Sequence, residues 1–186
     1  LHMPLQSGSD RVLKAMRRSY RSERFLGIID RVRQQIPDAA ITTDIIVGFP
    51  GETEEDVAEL ERFLVAARLD VVGVFGYSDE DGTEGELLTD KVDPEVIAER
   101  VDRLTRLVEE LTAQRAEERI GEQVTVLVEE VDEESGEVVG RAAHQGPDVD
   151  GVTLLTGAVD GLEVGTIVTA EVIGTEGIDL VGRVSA

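Results

Sequence analysis

The 186-residue chain contains no cysteine and no tryptophan. Without cysteine it has no disulfide, no thiol nucleophile and no thiolate ligand for zinc or an iron–sulfur cluster. Histidine is nearly as scarce. His2 and His144 are too far apart in sequence to suggest a metal site by spacing. Aromatic residues make up 3% of the chain, and none follows Tyr77. The last 109 positions therefore offer no ring on which a base could stack. No apolar run approaches the length of a membrane span, and no signal-peptide pattern is present, so the chain reads as soluble and cytoplasmic.

Positive charge is also in short supply. Eighteen basic side chains stand against forty acidic ones, a net charge of −22. That balance argues against free nucleic-acid binding, which draws on a basic footprint. The distribution is uneven. Residues 1–36 hold eight basic side chains (Arg11, Lys14, Arg17, Arg18, Arg21, Arg24, Arg31, Arg33) and three acids. Residues 121–186 hold two basic side chains, Arg141 and Arg183, and fourteen acids. The basic run reads mainly as a solvated helix face. The acidic segment fits a basic protein partner, since opposite charge steers encounter, and keeping the domain soluble would by itself also account for the acids.

The clearest local signal is Ile41–Asp56, ITTDIIVGFPGETEED. A β-rich run stops at Gly48, a turn with two glycines and a proline follows, and a helix then starts. Thr53 is suited to cap it by accepting a hydrogen bond from the Asp56 amide. Glu54, Glu55 and Asp56 put negative charge at the positive end of the helix dipole. Strand, glycine turn and capped helix make one βα unit, whose loop lies where α/β folds bind ligands.

Around it, strands alternate with helices. Leu1–Gln6 is predicted as a strand, Ser7–Asp10 as turn and cap, and the next helix carries Val12, Leu13 and Met16. Ser22 is expected to cap a second helix with Phe25, Ile29, Val32 and Ile36 on one face, ended by Pro37-Asp38. After strand Ile41–Val47, a helix buries Val57, Leu60, Leu64 and Ala67. Leu69–Tyr77 is the third strand and Ser78–Glu86 an acidic loop. Pro94 opens a long helix to about Arg119, with Ile97, Val101, Leu104, Val108 and Leu111 as its stripe. The three strands should be parallel.

After Gly121 the hydrophobic period changes to two. Five short antiparallel strands are predicted over 124–131, 138–143, 152–156, 167–173 and 178–184, a small closed barrel of the OB type. The domains are therefore 1–120 and 121–186. The chain starts inside a strand-like run, so it is expected to be a piece of a longer protein. A lone half-barrel would leave strand edges unpaired, making the first 90 residues marginal or prone to associate.

Three strands end in glycine or polar residues, and in a parallel arrangement those ends converge on one rim. Gln6, Ser7, Gly48, Phe49, Tyr77 and Ser78 are the candidate cofactor-binding positions. Glycine lets a ligand approach the backbone, and the polar side chains supply donors and acceptors. Turn requirements alone would also place glycine and capping residues here. No catalytic or metal-binding residue is assigned.

LHMPLQSGSDRVLKAMRR and TTDIIVGFPGETEED together resemble the radical S-adenosylmethionine methylthiotransferases. The likeness covers essentially the whole chain, because members of that family end in a small β-barrel, the TRAM domain. Up to about Val57 the chain is more similar to the type that modifies isopentenyl-adenosine in transfer RNA (MiaB type). From Ala58 onward it is more similar to the type that methylthiolates an aspartate of small-subunit ribosomal protein twelve (RimO type).

The resemblance implies a six-stranded partial (βα) barrel, of which this chain supplies the last three strands. It places Gln6 and Ser7 near the ribose of S-adenosylmethionine and Gly48 and Phe49 near its adenine. The family's fifth-strand pattern, G-x-I-x-G-x-x-E, keeps Ile46 and Gly48 here, but Asp44 replaces the first glycine and Glu52 comes one residue late. The intact enzyme would use S-adenosylmethionine and two 4Fe-4S clusters, cleaving the former to a 5′-deoxyadenosyl radical. The cluster motif CxxxCxxC is absent, so this chain alone is expected to be inactive. The acidic barrel favours the basic ribosomal protein as partner, with transfer RNA as the alternative. A third reading is a non-catalytic barrel module that binds a basic protein.

Overall fold

The computed structural model describes residues 1–37, 39–132, 134–147 and 150–185. The chain divides into two compact units, Leu1–Leu111 and Thr112–Ala186.

The first unit is built on parallel pairing. Strand β1 (Thr42–Val47) lies beside β2 (Val71–Gly76), with Asp44 opposite Gly73 and Ile46 opposite Phe75. Leu1–Gln6 runs parallel to β1 on its other side, bridging it at His2–Thr42 and Gln6–Ile45. The predicted first strand is thus extended chain with two bridges rather than a regular strand. Pro4 has no N–H to give. The Leu5 amide donates to the Thr43 hydroxyl (2.8 Å) instead of to backbone. Gln6 leaves the extended region at φ +74°.

Four helices accompany the sheet: α1 (Asp10–Ala15), α2 (Ser22–Gln35), α3 (Glu54–Ala67) and α4 (Pro94–Glu117), the last crossing the division between the units. Their apolar faces gather Leu5, Phe25, Ile29, Ile45, Val47, Val57, Leu60, Phe63, Leu64, Leu104 and Val108 into one core. Val12 and Leu13 of α1 are buried as predicted, and Met16 is half-buried. Ile36 is exposed at the end of α2, where the helix stops at Gln35; Asp38 lies outside the described residues.

Two helix starts differ in chemistry. Thr53 caps α3 as predicted, its hydroxyl accepting from the Asp56 amide while Asp56 accepts from the Thr53 amide. Ser22 does not cap α2. It is the first helical residue, and its amide (2.8 Å) and hydroxyl (3.0 Å) both donate to Asp10. A carboxylate from the preceding helix satisfies donors that the local pattern assigned to serine.

The second unit is a closed barrel of β3 (Gln123–Val131), β4 (Val138–Ala142), β5 (Thr153–Gly157), β6 (Ile167–Glu176) and β7 (Asp179–Val184), in the order β3-β4-β5-β7-β6. The prediction of a five-stranded barrel holds; that of purely antiparallel pairing does not, because β5 and β7 run parallel. The link from β5 leads to β6, which pairs with β3 rather than with β5, and the antiparallel β6–β7 pair then returns β7 beside β5 in the same direction. Val126, Val128, Val138, Ala142, Leu155, Ala170, Val172 and Leu180 fill the interior. Among the described residues no helix is long and apolar enough to cross a membrane.

Candidate functional site at the strand ends

The turn after β1 is shaped by a buried carboxylate. Gly48 has φ +82°, a conformation that disfavours any side chain. Its amide donates to Glu52 Oε1 at 2.8 Å, and Arg100 of α4 donates to the same oxygen at 2.9 Å. The Glu52 and Arg100 side chains are 1% and 9% exposed. Burial pushes the Glu52 carboxyl up, opposed by the Gly48 amide and by Arg100. Glu52, the residue displaced from the family spacing, is therefore a clasp that closes the turn from within. A Cβ on Gly48 would come within 2.4 Å of Ile97, so the close approach of α4 also requires glycine here.

A second clasp joins the turn to the segment after Gln6. Asp56, at the start of α3, accepts from Ser9 (2.7 Å), from Arg11 Nε (3.1 Å) and from the Thr53 hydroxyl (2.6 Å). Arg11 also donates to the Gly51 carbonyl at 2.7 Å. Burial opposes ionisation of Asp56 most strongly, but the donors Arg11, Thr53 and Ser9 prevail and hold its carboxyl well below the usual range. The Ser7 hydroxyl accepts from the Ser9 amide at 3.2 Å. The two strand-end loops are thus one hydrogen-bonded structure.

A cavity of about 530 Å³ opens beside them, lined in part by Gln6, Ile46, Phe49 and Tyr77. The Phe49 and Tyr77 rings meet edge to face, with centroids 5.3 Å apart. Tyr77 donates to Asp79 at 2.8 Å, and Lys91 pairs with Asp79 while lying 5.3 Å from the Tyr77 ring centroid. Arg17, itself at φ +59°, pairs with Glu84, and both line the cavity.

Of the six candidate positions, Gln6, Phe49 and Tyr77 meet in this cavity. Ser7 is 1% exposed and not among its lining residues, Gly48 shapes the turn, and Ser78 is exposed outside it. Sequence reasoning missed Ile46, Arg17 and Glu84. Ile46 was legible, since alternation puts it on the same face as Thr42 and Asp44. The Arg17–Glu84 pair joins positions 67 residues apart and has no local signal. Among the described residues no group of three histidine, cysteine, aspartate or glutamate side chains could hold a metal ion.

Comparison with known proteins agrees with this architecture. Residues 1–64 match the radical SAM superfamily and residues 120–184 the TRAM domain. The chain is 59% identical to "Ribosomal protein uS12 methylthiotransferase RimO" of Kineococcus radiotolerans, covering 97% of this chain and 38% of that protein. It is 55% identical to the protein of the same name from Streptomyces avermitilis, over 97% of this chain and 36% of the relative. Against that of Salinispora arenicola the identity is 51%, over 99% and 38%. The chain thus spans less than two-fifths of the length of these relatives. It joins a segment matching the radical SAM superfamily to one matching the TRAM domain, and over the part it spans it is similar to proteins named as uS12 methylthiotransferases.

Proposed function

We propose that this chain is the substrate-side part of a radical S-adenosylmethionine methylthiotransferase acting on an aspartate of ribosomal protein uS12. Residues 1–120 would form part of the (βα) barrel with its long helix, and residues 121–186 the TRAM barrel. The single observation that carries the reading is identity of 50–59% along nearly the whole chain to enzymes of that name. The matches cover 96–99% of the chain and so include the first part, and the transfer-RNA type is not favoured.

The strand-end cavity suits the nucleoside of S-adenosylmethionine. It offers apolar and aromatic walls at Ile46, Phe49 and Tyr77 and one amide at Gln6, the composition of a small-molecule pocket. Gln6 would hold the ribose side and Phe49 the adenine side, while Ser7 and Gly48 set the two loops. The residues do not fit an iron–sulfur cluster, because the chain has no cysteine. The cluster ligands would come from protein outside these 186 residues. Once cleaved with an electron from such a cluster, bound S-adenosylmethionine would supply hydrogen abstraction from an unactivated carbon. This chain's task is to orient it, exclude water and present the substrate.

In the TRAM barrel, Arg141 is engaged by Glu129 (2.9 Å) and Arg183 by Glu171 (2.7 Å). These pairings weaken any phosphate-binding role of the two arginines and leave an acidic surface suited to a basic protein.

The test is reaction of the full-length, cluster-reconstituted protein with purified uS12 and, side by side, with transfer RNA. A gain of one methylthio group on a uS12 aspartate is expected. Methylthiolated RNA with unmodified uS12 would overturn the reading. The 186-residue chain alone should form no 5′-deoxyadenosine.

A further inference from the structure

The face of the sheet turned away from the core, open among the described residues, holds a combination that stability does not explain. Thr43, Ile45 and Val47 point into the core and are buried, so Thr42, Asp44 and Ile46 face the other way. Val72 and Val74 pack on the same core, which turns Gly73 and Phe75 to the open face. Aspartate is depleted from strand interiors, and a central glycine weakens a strand. Here the two stand directly opposite each other in register.

Geometry explains the pairing. A Cβ at position 73 would lie 2.5 Å from Asp44 Oδ1 and 2.8 Å from the Phe75 ring. Glycine therefore makes room for a carboxylate and an aromatic ring to approach one spot from two strands. Asp44 Oδ2 is held by His2 Nε2 at 3.3 Å, and His2 Nδ1 lies 3.1 Å from the Thr42 hydroxyl. The other oxygen, Oδ1, is left toward the Gly73 gap. The His2 and Asp44 side chains are 55% and 40% exposed, so their contact adds little to stability. Phe75 is 54% exposed, large for an aromatic ring with no role in the core.

We infer that Asp44, oriented by His2 and flanked by Phe75 across Gly73, receives a cationic side chain of the polypeptide substrate. A carboxylate oxygen beside an open aromatic face matches a guanidinium, which can donate charge-assisted hydrogen bonds to the one and lie over the other. The charge of the chain, −22, attracts such a group and repels the phosphates of RNA. That the cation belongs to a polypeptide rests on the methylthiotransferase reading above. The site itself rests on the geometry.

The experiment is an amide NMR titration of the 186-residue chain with N-acetyl-arginine amide. Its neutral isostere N-acetyl-citrulline amide and adenosine are the parallel probes. Saturable shifts centred on Asp44, Gly73 and Phe75 are expected with the arginine amide alone. Asp44→Asn and Phe75→Leu should each weaken binding by about fivefold. The dispersed amides of Ile45 and Val126 check that both variants remain folded. Equal response to the citrulline amide, saturation by adenosine instead, or unchanged affinity in folded Asp44→Asn would overturn the site. A null uS12 assay together with saturable arginine-amide binding would uphold the cation site and overturn the polypeptide assignment.

Discussion

The two units spend their charged residues in opposite ways. In Leu1–Leu111 the decisive contacts are buried or half-buried carboxylates on specific donors: Glu52 on Gly48 and Arg100, and Asp56 on Ser9, Arg11 and Thr53. In the barrel strands of the second unit, charge stays at the surface and the inside is valine, alanine and leucine, while Arg119, just after α4, is buried and paired with Glu122. Within the barrel itself, the buried polar cluster around Gln145 is neutral. Gln145 accepts from the Ala142 amide (2.8 Å) and the Thr153 hydroxyl (2.7 Å), and it donates to the Val152 carbonyl (3.0 Å). A closed barrel satisfies its backbone within the ladder and needs few side chains for it. Two loops converging beside a cavity have no ladder, so side chains must supply their geometry.

The comparison can be broken first at Arg100. Arg100→Leu leaves Glu52 buried with one donor fewer, and a loss of about 3–5 kcal/mol is expected for the α/β unit. Denaturant unfolding followed by tyrosine fluorescence reads this unit selectively, because both tyrosines lie in it. Equal destabilisation of the barrel, followed by circular dichroism, would argue against the contrast.

Leu180→Ala is the matching test of the barrel, which depends on packing. Leu180 is 1% exposed, and a loss of about 2–5 kcal/mol is expected in the barrel transition, with the tyrosine signal unmoved.

Gly48→Ala sharpens the point at the site itself. The left-handed backbone and the contact with Ile97 both oppose a methyl group, and about 1–3 kcal/mol should be lost. A wild-type stability would show that the turn can relax.

Acid provides a graded version. Asp56 is held below its ordinary value of 3.8. Its contribution is therefore complete above about that pH and falls away as pH drops toward the depressed folded value. The tyrosine-monitored transition should weaken on acidification in that window, and Asp56→Asn should flatten the dependence while lowering neutral-pH stability by about 1–3 kcal/mol. An unchanged acid profile in the variant would assign the loss to other carboxylates.

The smallest effect is expected at the barrel surface. Arg141→Gln breaks the half-exposed pair with Glu129 and should cost about 0–1 kcal/mol. A larger loss would mean that the barrel too relies on a specific ion pair.

Much of this was legible along the chain. The Thr53 cap, the buried stripes of α3 and α4 and the barrel's period of two are local patterns, and the structure keeps them. The misreadings share a cause. Ser22 looked like a cap, but Asp10 from another helix took the role. Leu1–Gln6 looked like a strand, but Thr43 of the neighbouring strand takes the Leu5 amide through its hydroxyl. The parallel β5–β7 pair follows from closure of the barrel, which no single segment encodes. In the site, Gly48 and Phe49 were visible as a strand-end turn, while Glu52 and Arg100 lie 48 positions apart and meet only when α4 packs.

By itself, the sequence determined most of the helices and strands, that two different hydrophobic periods meet near Gly121, and that no cysteine chemistry occurs in these residues. Those are matters of local backbone preference and residue type, readable over a few turns. The tertiary structure alone decided which carboxylates became clasps, which candidates reached the cavity, and that Asp44 should face Gly73 and Phe75. Each depends on groups far apart in sequence meeting at one place, where burial and hydrogen bonding give an ordinary side chain its role.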